Sequence, residues 1–207
     1  MTRHNPRTSR ARLGFAAGLV CAAGATWAGS ISVHVTDAAG QPLADAAVYA
    51  EAPGTAASAK PGKKIEIEQK GRKFLPLVTV VQAGTNISFP NNDTVRHHVY
   101  SFSPAKTFDI KLYSGESNPI LFDKPGTVVI GCNIHDQMVA YIHVVPTPYF
   151  AKTDANGNAR LEVPAGRYAV KAWHYGQPAN AAPAELAVAA TDGDVPAALK
   201  LNAKAAN

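Results

Sequence analysis

Disulfide cross-links are the first thing this chain has no means to make. Of its two cysteines in 207 residues, Cys21 lies near the N-terminus and Cys132 stands alone after it. A single thiol closes no intramolecular bridge, so any core must be held by packing. A second long apolar run is also missing. Leu13 to Ala25 is apolar but short and alanine-rich, below the roughly 20 residues of a membrane helix. No long stretch shows sustained helical periodicity. No Ser-His-Asp set, paired acids or phosphate-binding glycine loop stands out, which argues against a catalytic centre.

An excess of one charge is lacking too, once the N-terminus is set aside. Arg3, Arg7, Arg10 and Arg12 precede the apolar run, and small residues follow at Thr26-Trp-Ala-Gly29. That is the layout of a secretory signal peptide, residues 1–28. It has no twin-arginine pair, and Val20 is large for lipoprotein processing at Cys21. The leader holds four of the 20 basic side chains and no acid, leaving 16 Lys+Arg against 15 Asp+Glu, a net charge of +1. The formal +5 is therefore no footprint of a nucleic-acid binder. The expectation is a periplasmic or otherwise exported protein with no membrane span in its mature chain.

What remains is rich in short runs of Val, Ile, Thr, Phe and Tyr between turn residues. Ile31 to Thr36, Thr85 to Pro90 and Arg167 to Trp173 are examples. The pattern predicts an all-β fold, sandwich or barrel. Two strands flank a turn containing Asp37, Gly40 and Pro42, and two more lie between Thr153 and Val170, with turns at Asn156-Gly157 and Pro164-Ala-Gly166. These pieces resemble successive parts of a carboxypeptidase regulatory-like (transthyretin-like) β-sandwich. About a hundred residues separate them, the size of a domain. We expect a split outer sandwich, 29–59 and 146–207, interrupted by a domain over 60–145; a single large sandwich or two domains in tandem are the alternatives. Ala56 to Lys64 and Pro146-Thr-Pro148 have linker composition.

Within that segment, Cys132, His135 and Met138 fall in seven residues, and His97-His98 lies upstream. A thiolate, imidazoles and a thioether form the donor set of a mononuclear copper centre, soft sulfur favouring Cu(I) and imidazole accepting either state. Zinc also accepts a thiolate and two imidazoles, but gains little from a thioether. The alternative is a buried Cys and Met that merely fill the core. His34, His143 and His174 sit in strand-like runs and are expected to be packing or surface residues. Asp154-Ala-Asn-Gly-Asn158 begins like a calcium loop but has Ala159 and Ala165 at the sixth and twelfth positions, so a hairpin turn is the better account. Lys60, Lys63, Lys64, Lys70, Arg72 and Lys73 form a basic stretch, a solvated face or a surface that steers an acidic redox partner.

The order Val78 to Asp93, then Thr94 to Tyr100, then Pro125 to Val145 resembles the cupredoxin family, and the short Cys-x-x-His-x-x-Met loop is most similar to that of its amicyanin members. The resemblance covers about 85 residues. It implies a Greek-key β-sandwich holding one type 1 copper through His97, Cys132, His135 and Met138. Asn91, Asp93 and His97 match the family spacing, which favours His97 over His98 as ligand. The family has Asn after this ligand, where this chain has His98. A single-electron carrier with a redox protein partner is the function implied. A Cu(I) carrier, or a glycan- or protein-binding module with a structural metal, are the alternatives.

Overall fold

The computed structural model describes Met1, residues 28–54 and residues 64–204. Most of the expected leader, and the expected linker from Ala56 to Lys64 except for Lys64 itself, lie outside the described residues. The chain is all-β. Its strands are β1 (Ala28–Thr36), β2 (Ala47–Glu51), β3 (Ile65–Glu66), β4 (Glu68–Gln69), β5 (Phe74–Leu75), β6 (Val78–Gln82), β7 (Thr85–Ser88), β8 (His97–Ser103) and β9 (Lys106–Tyr113). Then come β10 (Ile120–Phe122), β11 (Gly126–Gly131), β12 (Val139–Val145), β13 (Phe150–Lys152), β14 (Asn158–Pro164), β15 (Gly166–Trp173), β16 (Ala184–Ala190) and β17 (Asp194–Lys200). Among the described residues no helix is long and apolar enough to cross a membrane.

An outer pair of sheets, ordered β14-β1-β17 and β13-β2-β15-β16, encloses one apolar cluster. Alternation in β1 turns Ile31, Val33 and Val35 inward, against Val48, Ala50, Val170 and Ala172. Both β1 and β2 are flanked on each side by strands that follow residue 149, so the chain leaves these sheets and returns to complete them. Strands β16 and β17, rich in alanine, carry no strong β signal in sequence. They form because β17 runs parallel to β1, with Val33 opposite Ala197 and Val35 opposite Leu199. Pro196 is tolerated because β17 is an edge strand.

An inner pair of sheets, ordered β10-β7-β3 and β6-β12-β11-β8-β9, encloses a second cluster that includes Phe89, Val99, Phe122, Ile130, Cys132, Met138 and Ile142. The longer sheet is antiparallel except where β6 runs parallel to β12. The chain reverses between β6 and β7 at Gly84, φ 94, a left-handed conformation that glycine adopts without a Cβ clash.

The two pairs of sheets meet through a third cluster of Ala47, Val78 and Trp173, with Val80, Tyr141 and Tyr175 packed against it. His143 of β12 stacks on Trp173, centroids 4.7 Å apart at 9°, and Tyr141 stacks on Tyr175 at 5.2 Å. Lys152 Nζ pairs with Asp45 Oδ1 at 2.6 Å and donates to the Val78 carbonyl at 3.3 Å. His143 is thus a packing residue. His174 is also buried, its Nε2 3.1 Å from the Ala44 carbonyl, while His34 is exposed beside Asn158. Asp154 accepts from the amides of Asn156 and Asn158, and Gly157 has φ 73: a turn, as its sequence suggests.

Burial pushes the His143 pKa down to about 4 from 6.5. The native state therefore holds fewer protons than the unfolded chain between those values. Stability that is full above pH 6.5 is lost as pH falls toward 4, by about 3 kcal/mol from this group. Urea unfolding over that range is expected to show the loss. His143→Gln should be less stable at pH 7 but have a flatter pH profile; an unchanged slope would refute the assignment.

Candidate metal centre

Antiparallel pairing of β11 with β12 places Gly131 opposite Val139 and leaves residues 132–138 as the closing loop. The loop is braced by its own backbone. Cys132 N donates to the Met138 carbonyl at 3.2 Å, and Met138 N to the His135 carbonyl at 2.9 Å. Cys132 and Met138, the only methionine after Met1, turn inward into the apolar cluster at 3% and 1% exposure; His135 is half-buried.

His97 opens β8 and is fully buried. Its Nδ1 lies 3.9 Å from Cys132 Sγ, and its ring centroid is 5.0 Å from that of His135. One donor atom from each of His97, Cys132 and His135 falls within 4.8 Å of the others. His98 is not part of the group. An irregularity in the β8–β9 register falls between His97 and Val99, and His98 Nε2 bonds to Asp109 of β9 while its ring meets the Tyr100 ring edge-on. Of the two histidines, His97 alone reaches Cys132, and Met138 packs in the same cluster as the thiol.

The His97 ring is oriented by Asp93, whose Oδ2 lies 2.7 Å from Nε2. A carboxylate there makes Nε2 the protonated nitrogen and leaves the Nδ1 lone pair directed at the cluster, the arrangement usual for a metal-bound imidazole. Asp93 also accepts from the backbone amides of Gly71 (2.8 Å) and Arg72 (2.9 Å). Burial raises its pKa, but the bonds from His97, Arg72 and Gly71 outweigh this and hold it below the usual carboxylate range. Its contribution to stability is therefore present above about pH 4 and is lost as pH falls further.

Sequence spacing pointed to Asn91 without revealing its task. It is buried, donates through Nδ2 to the carbonyls of Val95 (3.0 Å) and Tyr113 (2.8 Å), and accepts at Oδ1 from Asp93 N (3.0 Å). It thereby closes the loop that carries Asp93 to His97. Gln69, fully buried, donates to the Phe89 carbonyl and Tyr113 Oη, bracing the same end of β9.

One nitrogen of the group has no protein partner. His135 Nδ1 is buried and accepts no hydrogen bond among the described residues, at a cost of about 1–3 kcal/mol if nothing meets it. A buried imidazole nitrogen, a second beside it, a thiol and a thioether in one apolar pocket fit a soft metal ion, and copper better than zinc.

No protein-family model matches the chain, and no curated protein matches it. Solved structures that resemble it include amicyanin from Paracoccus versutus, 16% identical over 42% of this chain and 85% of that one, TM-score 0.36. A purple cupredoxin from Nitrosopumilus maritimus is 20% identical over 40% of this chain and 98% of its own, TM-score 0.34. A copper-containing nitrite reductase from Thermus scotoductus is 24% identical over 54% of this chain, TM-score 0.39, and this chain spans only 28% of its length.

Asp93→Asn keeps the side-chain shape but replaces one accepting oxygen with a donor. It is expected to lower the stability of the metal-free chain by about 1–3 kcal/mol and metal affinity by about 10- to 100-fold. Urea unfolding and competitive metal titration would measure the two effects; unchanged affinity would show that Asp93 does not orient His97.

Proposed function

We propose that the inner pair of sheets is a cupredoxin-type domain, residues 60–145, that holds one copper ion and passes single electrons between exported redox proteins. The observation that carries the reading is that His135, whose Nδ1 is buried and unpartnered among the described residues, brings a ring nitrogen within 4.8 Å of donor atoms of His97 and Cys132. His97, Cys132 and His135 would be the strong ligands and Met138 a weak one. Copper there would supply one-electron chemistry between its Cu(I) and Cu(II) states.

The chain's own residues serve that task by holding still. Asp93 keeps the proton at His97 Nε2, so the ring need not turn. The backbone bonds of the 132–138 loop fix Cys132 and Met138 relative to each other. Val99, Ile130 and Ala140, fully buried in the same cluster, keep water from the thiol. Of the four residues only His135 is not fully enclosed, and it lies next to exposed Ile134, so an electron would pass to the surface by way of His135.

In the same reading the outer pair of sheets is a split transthyretin-like module, residues 29–59 and 146–207, into which the copper domain is inserted. The position of β1 and β2 between later strands supports this. The leader-like residues 1–28 support export.

Reconstituted with Cu(II), the whole chain is expected to turn intensely blue, bleach on reduction and recover on oxidation without losing metal. Cys132→Ala should abolish the colour and His98→Ala should keep it. Met138→Leu should keep the colour while changing the reduction potential. A blue colour that survives Cys132→Ala would overturn the proposal.

A further inference from the structure

A β-sheet ends in strands whose outer backbone groups have no neighbour, and folded proteins guard such edges with charge, proline or a covering segment. Among the described residues five edge strands are longer than three residues: β6, β9, β14, β16 and β17. Four of them are guarded. Strand β6 lies against the outer sheets, where Lys152 donates to the Val78 carbonyl. Strand β9 carries Lys106, Asp109 and Lys111, β14 carries Arg160 and Glu162 and ends in Pro164, and β17 holds Pro196 between Asp194 and Lys200. Strand β16, from Ala184 to Ala190, has no proline and a single charge. That charge, Glu185, pairs back with Lys171 of β15 at 3.6 Å.

The same edge leaves the core open. Leu186 sits opposite Val170 in the β15–β16 register, on the face that also holds Val188 and Ala190. Those three neighbours are buried, yet Leu186 is 38% exposed. Ala187 and Ala189 alternate to the other face, and both are exposed. Opposite Ala189 on that face is Arg167 of β15, exposed and without an ion pair among the described residues. The inner sheets approach this sheet at its other edge, β13, which lies beside β6.

We propose that β16 is a self-association edge, at which two copies of the chain join by antiparallel β16–β16 pairing about a twofold axis through Ala187, turning two four-stranded sheets into one of eight strands. Twofold pairing keeps both cores on one side of the joined sheet only when residues of the same face lie opposite each other. Centring it on Ala187 uses all seven residues of the strand. Leu186 then faces the partner's Val188 and is covered, and Ala184 faces the partner's Ala190. Glu185 faces the partner's Ala189, and beyond it, two strand spacings or about 10 Å away, is the partner's Arg167. Only a methyl group stands between these two long side chains, so Glu185 lies between Lys171 and the partner's Arg167, and the symmetry repeats that row. No like charges are opposed. This self-complementarity of charge and apolar cover selects a second copy over any other extended segment added at the edge.

The test uses the metal-free full chain with Cys21→Ser; Cys132 is buried and does not compete. Sedimentation equilibrium is expected to show a monomer–dimer equilibrium. With oxidised glutathione, Ala187→Cys should cross-link to a covalent dimer, because Cα atoms directly opposed in an antiparallel pair lie about 4.5–5.5 Å apart. Ala189→Cys, which faces the partner's Glu185 and not its own copy, should stay uncross-linked. Leu186→Lys should give a monomer that unfolds at the same urea concentration as the unaltered chain at low concentration. Arg167→Glu should weaken association about tenfold, the ion pair being lost on both sides of the axis. A chain that is monomeric at every concentration overturns the proposal. So does a dimer that cross-links equally at 187 and 189, or one that Leu186→Lys and Arg167→Glu leave intact, since either places the contact elsewhere. Every readout is made without copper, so failure here and failure of the copper reading are separate results.

Discussion

The carboxylate of Asp93 is the interaction on which the site depends. Its two oxygens receive the His97 ring and the two turn amides of Gly71 and Arg72, while its own amide is held by Asn91. A carboxylate with several donors stays ionised and in place. One group thus sets the tautomer of His97, anchors a hairpin otherwise unfavourable at Arg72, and joins two segments more than 20 residues apart in sequence. Gln69 and Glu68 tie the same hairpin to this end of the inner sheets, through backbone bonds of Gln69 with Pro90 and Asn92 and through the Asn92 side chain on Glu68.

The second constraint is the register of β11 and β12. Side chains in a strand alternate faces, so a shift of one residue would turn Val128, Ile130, Ala140 and Ile142 out of the core. The register therefore fixes a seven-residue loop and brings Cys132 and Met138 inward at its two ends. His135, midway, is left half-buried with an unpartnered nitrogen. The same alternation separates His97 from His98: one faces the thiol, and the other pairs with Asp109 across β9.

Between the outer and inner sheets, aromatic stacking does the joining. Trp173, His143, Tyr141 and Tyr175 interleave, and the neutral His143 ring serves as an apolar plate between them. This leaves the outward face of β6 and β12 covered and the ligand loop free at the end of the same strands. Whatever task the outer sheets perform, they are packed against a strand that leads directly from Met138.

The sequence by itself determined the β character of the chain and the kind of atoms offered to a metal, because alternation and donor chemistry are local properties. A lone thiol, one internal thioether and closely spaced imidazoles can be read without coordinates. Strands β16 and β17 escaped notice because alanine has little β preference, and pairing with β1 and β15 makes them strands. His143 read as a packing or surface residue, and its stack on Trp173, a residue far away in the chain, decided for packing. Only the tertiary structure decided that His97 reaches Cys132 while His98 turns to Asp109, and that Asn91 and Asp93 hold the loop between them. Those assignments depend on which strand lies beside which, and on hydrogen bonds between segments that local sequence does not encode.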